Sequence, residues 1–69
     1  MISTSSPEKQ AVEVVKKWYR RHGHKAPQRI VVHQIRDNRC MLTAGQENIE
    51  TGFEVDLKQM KVLRVIPGQ

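Results

Sequence analysis

The sequence predicts an α+β domain in which one N-terminal helix packs on one face of a four-stranded antiparallel meander, in the order α-β-β-β-β. Three observations predict this fold. Apolar residues repeat with a helical period over residues 7–22, β-branched residues are concentrated over 28–36, and apolar and acidic residues alternate over 52–57. A chain of 69 residues forms one domain with a limited core, which favours association with a second subunit.

The helix is predicted over residues 7–22 because its apolar side chains fall on one stripe at about 100° per residue. Trp18 lies at the centre of this stripe, between Ala11, Val15 and His22. We therefore expect Trp18 to anchor the core. The alternative is an exposed Trp18 that serves as a stacking platform for bases or for a partner.

Residues with capping preferences flank the predicted helix. Ser5 or Ser6 can accept backbone N–H groups at its start, and Pro7 suits the first turn. Gly23 is a natural left-handed stop at its end. Residues 1–5 are expected to be disordered.

Two hairpins are predicted after the helix. Asp37 and Asn38 form the turn of the first hairpin, and the polar segment 45–51 is expected to be a mobile loop. The strands are predicted over residues 28–36, 39–44, 52–57 and 61–66. In the first hairpin the residues predicted to face the helix are Val31, His33, Ile35, Cys40, Leu42 and Ala44.

The second hairpin is predicted to place Val55 opposite Leu63 and Phe53 opposite Val65, with Glu54 opposite Arg64 on the outer face. A slip of one residue would instead turn Val62 and Ile66 toward the helix.

The segment GFEVDLKQMKVLRVIP, residues 52–67, resembles the terminal hairpin of PepSY-type domains. In that family a helix precedes the strands, and the closing strand has the pattern aliphatic, aliphatic, polar, aliphatic. The resemblance covers about the last third of the chain. It implies a fold and no particular function.

Positive charge is concentrated in the first part of the chain, whose net charge as a whole is +5. Residues 1–39 carry nine basic and three acidic residues, a net charge of +6, whereas residues 40–69 have a net charge of −1. A basic surface attracts nucleic acid or acidic proteins, but a solvated basic helix face is also common without a partner. The candidate nucleic-acid or anion face consists of Lys9, Lys16, Lys17, Arg20, Arg21, Lys25, Arg29, Arg36 and Arg39.

No set of residues predicts an enzyme, a metal site or a cofactor. His33 and Cys40 are predicted to share the sheet face under the helix, where a buried structural thiol is expected rather than a reactive one. His22 and His24 could join them as metal ligands, but the spacing matches no zinc motif. The four glycines are scattered and form no phosphate-binding loop.

The expected location is the cytoplasm, because there is one cysteine and the N-terminus lacks the apolar stretch of a signal peptide. No apolar run reaches the roughly 20 residues of a membrane span.

The leading functional hypothesis is a small non-enzymatic binding module that forms a homodimer through the sheet face that the helix leaves uncovered. Five aliphatic residues on one sheet face would form an association surface. The alternative is non-specific nucleic-acid binding by the basic helix face. The residues predicted to form the association face are Ile30, Val32, Met41, Val62 and Ile66.

Overall fold

A computed structural model describes residues 6–68 of the chain. Helix α1 (Pro7–Arg21) is followed by strands β1 (Arg29–Arg36), β2 (Arg39–Gln46), β3 (Ile49–Asp56) and β4 (Lys61–Ile66). The strands form one antiparallel sheet in the order β1-β2-β3-β4, and α1 contacts all four of them. The predicted α-β-β-β-β fold is confirmed. The expectation for residues 1–5 lies outside the described residues.

The start of α1 follows the predicted capping chemistry. Ser6 is the N-cap, and its hydroxyl accepts a hydrogen bond from the backbone N–H of Lys9 at 3.2 Å. Pro7 occupies the first turn, and Glu8 adds negative charge at the positive end of the helix dipole. The alternative cap, Ser5, lies outside the described residues.

A Schellman motif ends the helix. Gly23 has a left-handed φ of 75°, as expected for a C-terminal stop. Its N–H donates to the carbonyl of Arg20 at 3.1 Å, and the N–H of His24 donates to the carbonyl of Tyr19 at 2.9 Å. These two bonds bring His24 back beside the last turn of α1.

The core lies between α1 and the sheet. Phe53 is its largest fully buried side chain. Trp18, the predicted anchor, is instead half-buried and packs against the margin of the core, with its ring centroid 5.1 Å from that of Phe53 in an edge-to-face arrangement. The buried hydrophobic residues of the core are Ala11, Val14, Val15, Tyr19, Cys40, Leu42, Ala44, Phe53 and Val55.

Strand β1 contains a β-bulge that changes the predicted register. Ile35 pairs with Cys40 as predicted, but Val32 rather than His33 lies opposite Leu42. The extra residue breaks the alternation of side chains between the two faces.

The bulge reverses which side chains of β1 face the helix. Ile30 and Val32 pack against the core, whereas Val31 is 50% exposed. The His33 ring bonds to the Thr43 hydroxyl at 2.6 Å. Since its neighbours on β2 in sequence, Leu42 and Ala44, are buried under α1, Thr43 lies on the opposite surface of the sheet, which we call the open face. The prediction that Val31 and His33 face the helix is wrong.

A second irregularity lies in β4, at the other edge of the sheet. Phe53 lies opposite Val65 as predicted, but Val62 rather than Leu63 lies opposite Val55. Val62 packs against the core, while 39% of Leu63 and 37% of Val65 remain exposed.

The prediction of a mobile loop over residues 45–51 is wrong. Strands β2 and β3 continue through most of this segment, and only Glu47 and Asn48 form the turn. Gly45 pairs with Arg29 on one side and with Glu50 on the other. A Cβ atom at position 45 would lie 2.8 Å from Nε of Arg29. Glycine therefore permits the arginine side chain to cross the strand at this point.

Candidate nucleic-acid interface

The five aliphatic residues predicted to form one association face do not lie together. Ile30, Val32 and Val62 pack against the core. Met41 is half-buried on the open face, and Ile66 is 41% exposed on β4. The prediction of a continuous aliphatic open face is wrong, because the bulges of the two edge strands turn three of its members toward the helix.

The open face is instead a charged surface on which arginine side chains pair with glutamate side chains. The Glu54 carboxylate, whose side chain is 19% exposed, lies 3.3 Å from the Arg39 guanidinium and 4.0 Å from that of Arg64. Arg29 and Glu50 form a further ion pair at 3.7 Å. The three arginines share two carboxylates, so two of their three positive charges are compensated.

A shallow cleft of about 450 Å³ lies at the hairpin end of the open face. Arg36 and Arg39 face each other there, as the predicted register requires. Two carboxylates accompany these two arginines, so the cleft has no excess of positive charge. Its lining residues are Gln34, Arg36, Asp37, Arg39, Met41 and Glu54.

The exposed side of α1 differs from the open face because its cations have no ion-pair partner among the described residues. On this side of the helix, Glu8 and Glu13 lie beside Lys9 and Lys16, and no acidic residue follows Glu13 in α1. We call this surface the basic helix face; it consists of Lys9, Lys16, Lys17, Arg20 and Arg21, all of which are exposed.

The charge of this surface is strongest toward the end of α1. No acidic residue occurs between Glu13 and Asp37. Lys25, exposed in the connector after the helix, continues the positive surface. The predicted nine-residue patch is nevertheless divided, because Arg36 and Arg39 lie on the open face and Arg29 is paired with Glu50.

A second cleft, of about 130 Å³, lies between the last turns of α1 and the start of β4. The Trp18 indole lines it, and the charged residues around it are Lys17, Arg21 and Lys61. None of the described residues that line the cleft is acidic. We call this the tryptophan cleft; the rest of its lining consists of Val14, Met60 and Val62.

Sequence reasoning did not identify the tryptophan cleft. Lys17 and Arg21 are four residues apart and therefore lie on the same side of the helix. This spacing alone indicates the part of the cleft that α1 forms. The approach of Lys61 and Met60 depends on how β4 docks beneath α1, and that is not visible in the sequence.

Two histidine rings lie close to Trp18 at the end of the helix. The His22 ring stacks on the indole with centroids 4.2 Å apart and an interplanar angle of 28°. Its Nδ1 atom lies 2.9 Å from the Trp18 carbonyl oxygen, which fixes the ring in place. The His24 ring lies 6.2 Å from the indole at 25°. The three rings therefore form a small, nearly parallel cluster beside the tryptophan cleft.

His33 and Cys40 do not form a nucleophile and base pair. The imidazole lies on the open face, whereas the thiol is fully buried under α1. Burial raises the pKa of the Cys40 thiol, and the nearby negative charge of Glu8 raises it further. Within residues 6–68 no group of three or more His, Cys, Asp or Glu side chains is placed to hold a metal ion.

Comparisons with known proteins add no family assignment, since no family model, curated protein or solved structure matches the chain. The resemblance of residues 52–67 to PepSY-type domains therefore stays a prediction. In the described part of the chain, no helix has the length and apolar character needed to cross a membrane.

Proposed function

We propose that this chain is a non-enzymatic module that binds nucleic acid through the basic helix face. The observation that carries the proposal is the difference between the two surfaces of the domain. On the open face, Arg29, Arg39 and Arg64 are ion-paired with Glu50 or Glu54, and the cleft that holds Arg36 is also lined by Asp37 and Glu54. The five cations of the basic helix face form no ion pair with a described residue.

The arrangement of these cations suits a chain of regularly spaced phosphates. Lys9, Lys16 and Arg20 lie along one row of α1, which at about 1.5 Å per residue covers about 16 Å. Exposed lysine and arginine side chains on such a row reach successive phosphates and release condensed counterions. Two of the three residues of this row are lysines, whose flexible ammonium groups contact phosphates without reading base edges, so we expect binding without strong sequence preference.

The test is a fluorescence anisotropy titration of labelled single-stranded and duplex oligonucleotides at about 50 and 200 mM salt. Five phosphate contacts predict a loss of about two to three orders of magnitude in affinity over this range. Lys16→Glu combined with Arg20→Glu should weaken binding and reduce the salt dependence.

The matched control changes the same amount of charge on the opposite surface. Arg36→Glu combined with Arg64→Glu alters two exposed open-face arginines and should affect binding much less. Equal effects of the two double variants would move the site away from α1. Absence of binding at low salt, or equal binding of a polyglutamate chain, would contradict nucleic-acid recognition.

A second candidate function, self-association, is favoured by the exposed aliphatic residues of β4. This strand lies at the edge of the sheet and exposes 39% of Leu63, 37% of Val65 and 41% of Ile66. An edge strand with exposed aliphatic side chains and unpaired backbone groups is a template for pairing with a second copy. We propose that two copies of the chain pair through β4 rather than through the open face.

Sedimentation velocity over a range of protein concentrations tests this candidate. Leu63→Lys combined with Ile66→Lys should abolish a dimer. Ile49→Lys is the control, because Ile49 is 62% exposed on β3 and lies away from the β4 edge. A strict monomer, or a dimer unaffected by the β4 variant, would contradict the proposal. Val32→Asp is unsuitable as a test, since Val32 packs against the core.

A further inference from the structure

The Trp18 indole is partly exposed, unlike a buried core residue, but it is held in one orientation as a core residue is. It is half-buried and lines an open cleft, yet its orientation is held by neighbouring rings. The ring centroid of Tyr19 lies 5.3 Å away and that of Phe53 lies 5.1 Å away, both edge-on to the indole. A planar side chain held in this way loses little conformational freedom when a flat ligand packs against it.

The charge around this indole is positive on both sides of the cleft. Lys17 and Arg21 approach from α1, and Lys61 approaches from the start of β4. None of these three cations is ion-paired with a described residue. The cleft therefore offers an aromatic surface within reach of several free cations, and the apolar side chain of Met60 lies beside them.

From this juxtaposition we infer that the tryptophan cleft takes an unpaired nucleotide, with its base against the Trp18 indole and its phosphates contacted by Lys17, Arg21 and Lys61. The inference rests on the proposed function and specifies its ligand as single-stranded nucleic acid. Bases of a duplex are stacked inside the helix and cannot reach an indole in a cleft, whereas unpaired bases stack readily on aromatic side chains.

The position of the cleft makes this assignment consistent with the basic helix face. Lys17 and Arg21 belong to both, so a strand whose phosphates follow α1 would arrive at Trp18 at the end of the helix. His22 covers part of the indole, and His24 extends the ring cluster toward the connector.

The experiment compares three probes with the full chain. They are a single-stranded oligothymidylate of about ten nucleotides, an abasic oligomer of the same length and charge, and a duplex of that length. Anisotropy gives the affinities, and the emission of Trp18, the only tryptophan in the chain, reports directly on stacking. We expect the oligothymidylate to quench this emission and to bind about fivefold or more tightly than the abasic oligomer.

Variants separate stacking from charge. Trp18→Leu should reduce the affinity for oligothymidylate to that for the abasic oligomer, and Trp18→Phe should retain part of the difference. Lys61→Glu should weaken binding of both oligomers, whereas Arg36→Glu on the open face should have little effect. Circular dichroism checks that each variant is folded. If a Trp18 variant does not fold, the comparison of the three probes with the wild-type protein still decides the question.

The outcomes distinguish this inference from the proposed function. Binding of all three probes with equal affinity and unchanged tryptophan emission would overturn the inference while leaving nucleic-acid binding by α1 intact. Failure of all three probes to bind at low salt would overturn both.

Discussion

The imidazole Nε2 of His33 lies 2.6 Å from the hydroxyl oxygen of Thr43 on the open face of the sheet. This bond holds His33 on the side of the sheet opposite to Cys40, whose side chain is fully buried beneath α1. Among residues 6–68 no charged or polar side chain is buried beside the thiol, so its reactivity is determined mainly by burial.

We expect Cys40 to react slowly with a thiol reagent in the folded protein. The thiolate is the reactive form, and burial together with Glu8 raises the pKa of this thiol above its ordinary value of 9.0. Measurement of the labelling rate at pH 8, with and without denaturant, checks this expectation. Rapid labelling of the folded protein would show that the thiol is accessible.

The same shift predicts a dependence of stability on pH. The Cys40 thiol holds its proton more firmly in the folded state than in the unfolded state. The stability that this difference contributes is complete below pH 9.0 and is lost as the pH rises through the folded-state pKa. Urea midpoints between about pH 7 and 10 measure it. Cys40→Ala is the control and should lack this part of the alkaline loss.

Phe53 should contribute more to stability than Trp18 does. Truncating a fully buried phenylalanine costs about 3–5 kcal/mol, and a domain of this size has a total stability of about 3–10 kcal/mol. Phe53→Ala should therefore leave the protein largely unfolded, whereas Trp18→Ala should cost less because the indole is half-buried. Thermal denaturation followed by circular dichroism compares them. Equal losses would contradict the burial order.

Ser6→Ala should destabilise the domain by about 1 kcal/mol. The substitution removes the hydroxyl that accepts the Lys9 N–H at 3.2 Å and leaves that donor dependent on water. Urea denaturation measures the loss, and Ser6→Asp should retain the cap. No difference between the alanine and aspartate variants would show that the cap contributes nothing.

Glu47→Gly should stabilise the turn between β2 and β3 by up to about 1 kcal/mol. Glu47 has a φ of 58°, which is costly for a residue with a Cβ atom, and glycine adopts it freely. The backbone N–H of Glu47 donates to Oε1 of Gln28 at 3.1 Å. This bond does not involve the Glu47 side chain and is retained in the variant. Glu47→Ala, the control, keeps the strain and should not stabilise the protein in the same assay.

The helix and the strands could be predicted from the sequence. Which side chains of the two edge strands face the helix could not. The alternation of Phe53 and Val55 with acidic residues identified the buried face of β3. In β1, residues 30–32 are all aliphatic, so the pattern does not determine which of them faces the helix. The bulges there and in β4 depend on how the sheet twists beneath α1, which leaves no mark on the composition.

The candidate site was predictable to the extent that it depends on one element. The cations of α1 were visible as a row because a helix has a fixed period. The separation of Arg36 and Arg39 from that row, and the approach of Lys61 to Trp18, required the tertiary arrangement of the sheet around the helix.

The strand order β1-β2-β3-β4 has a consequence for how quickly the chain reaches its native state. Every strand pairs with its neighbour in sequence, so each hairpin closes across a short turn and little loop entropy opposes it. The contacts of α1 with the strands join distant parts of the chain, and those with β4 span the greatest separation in sequence. Topologies dominated by local contacts fold fastest. We therefore expect the hairpins to form early, and we expect the docking of the helix over β4 to limit the folding rate.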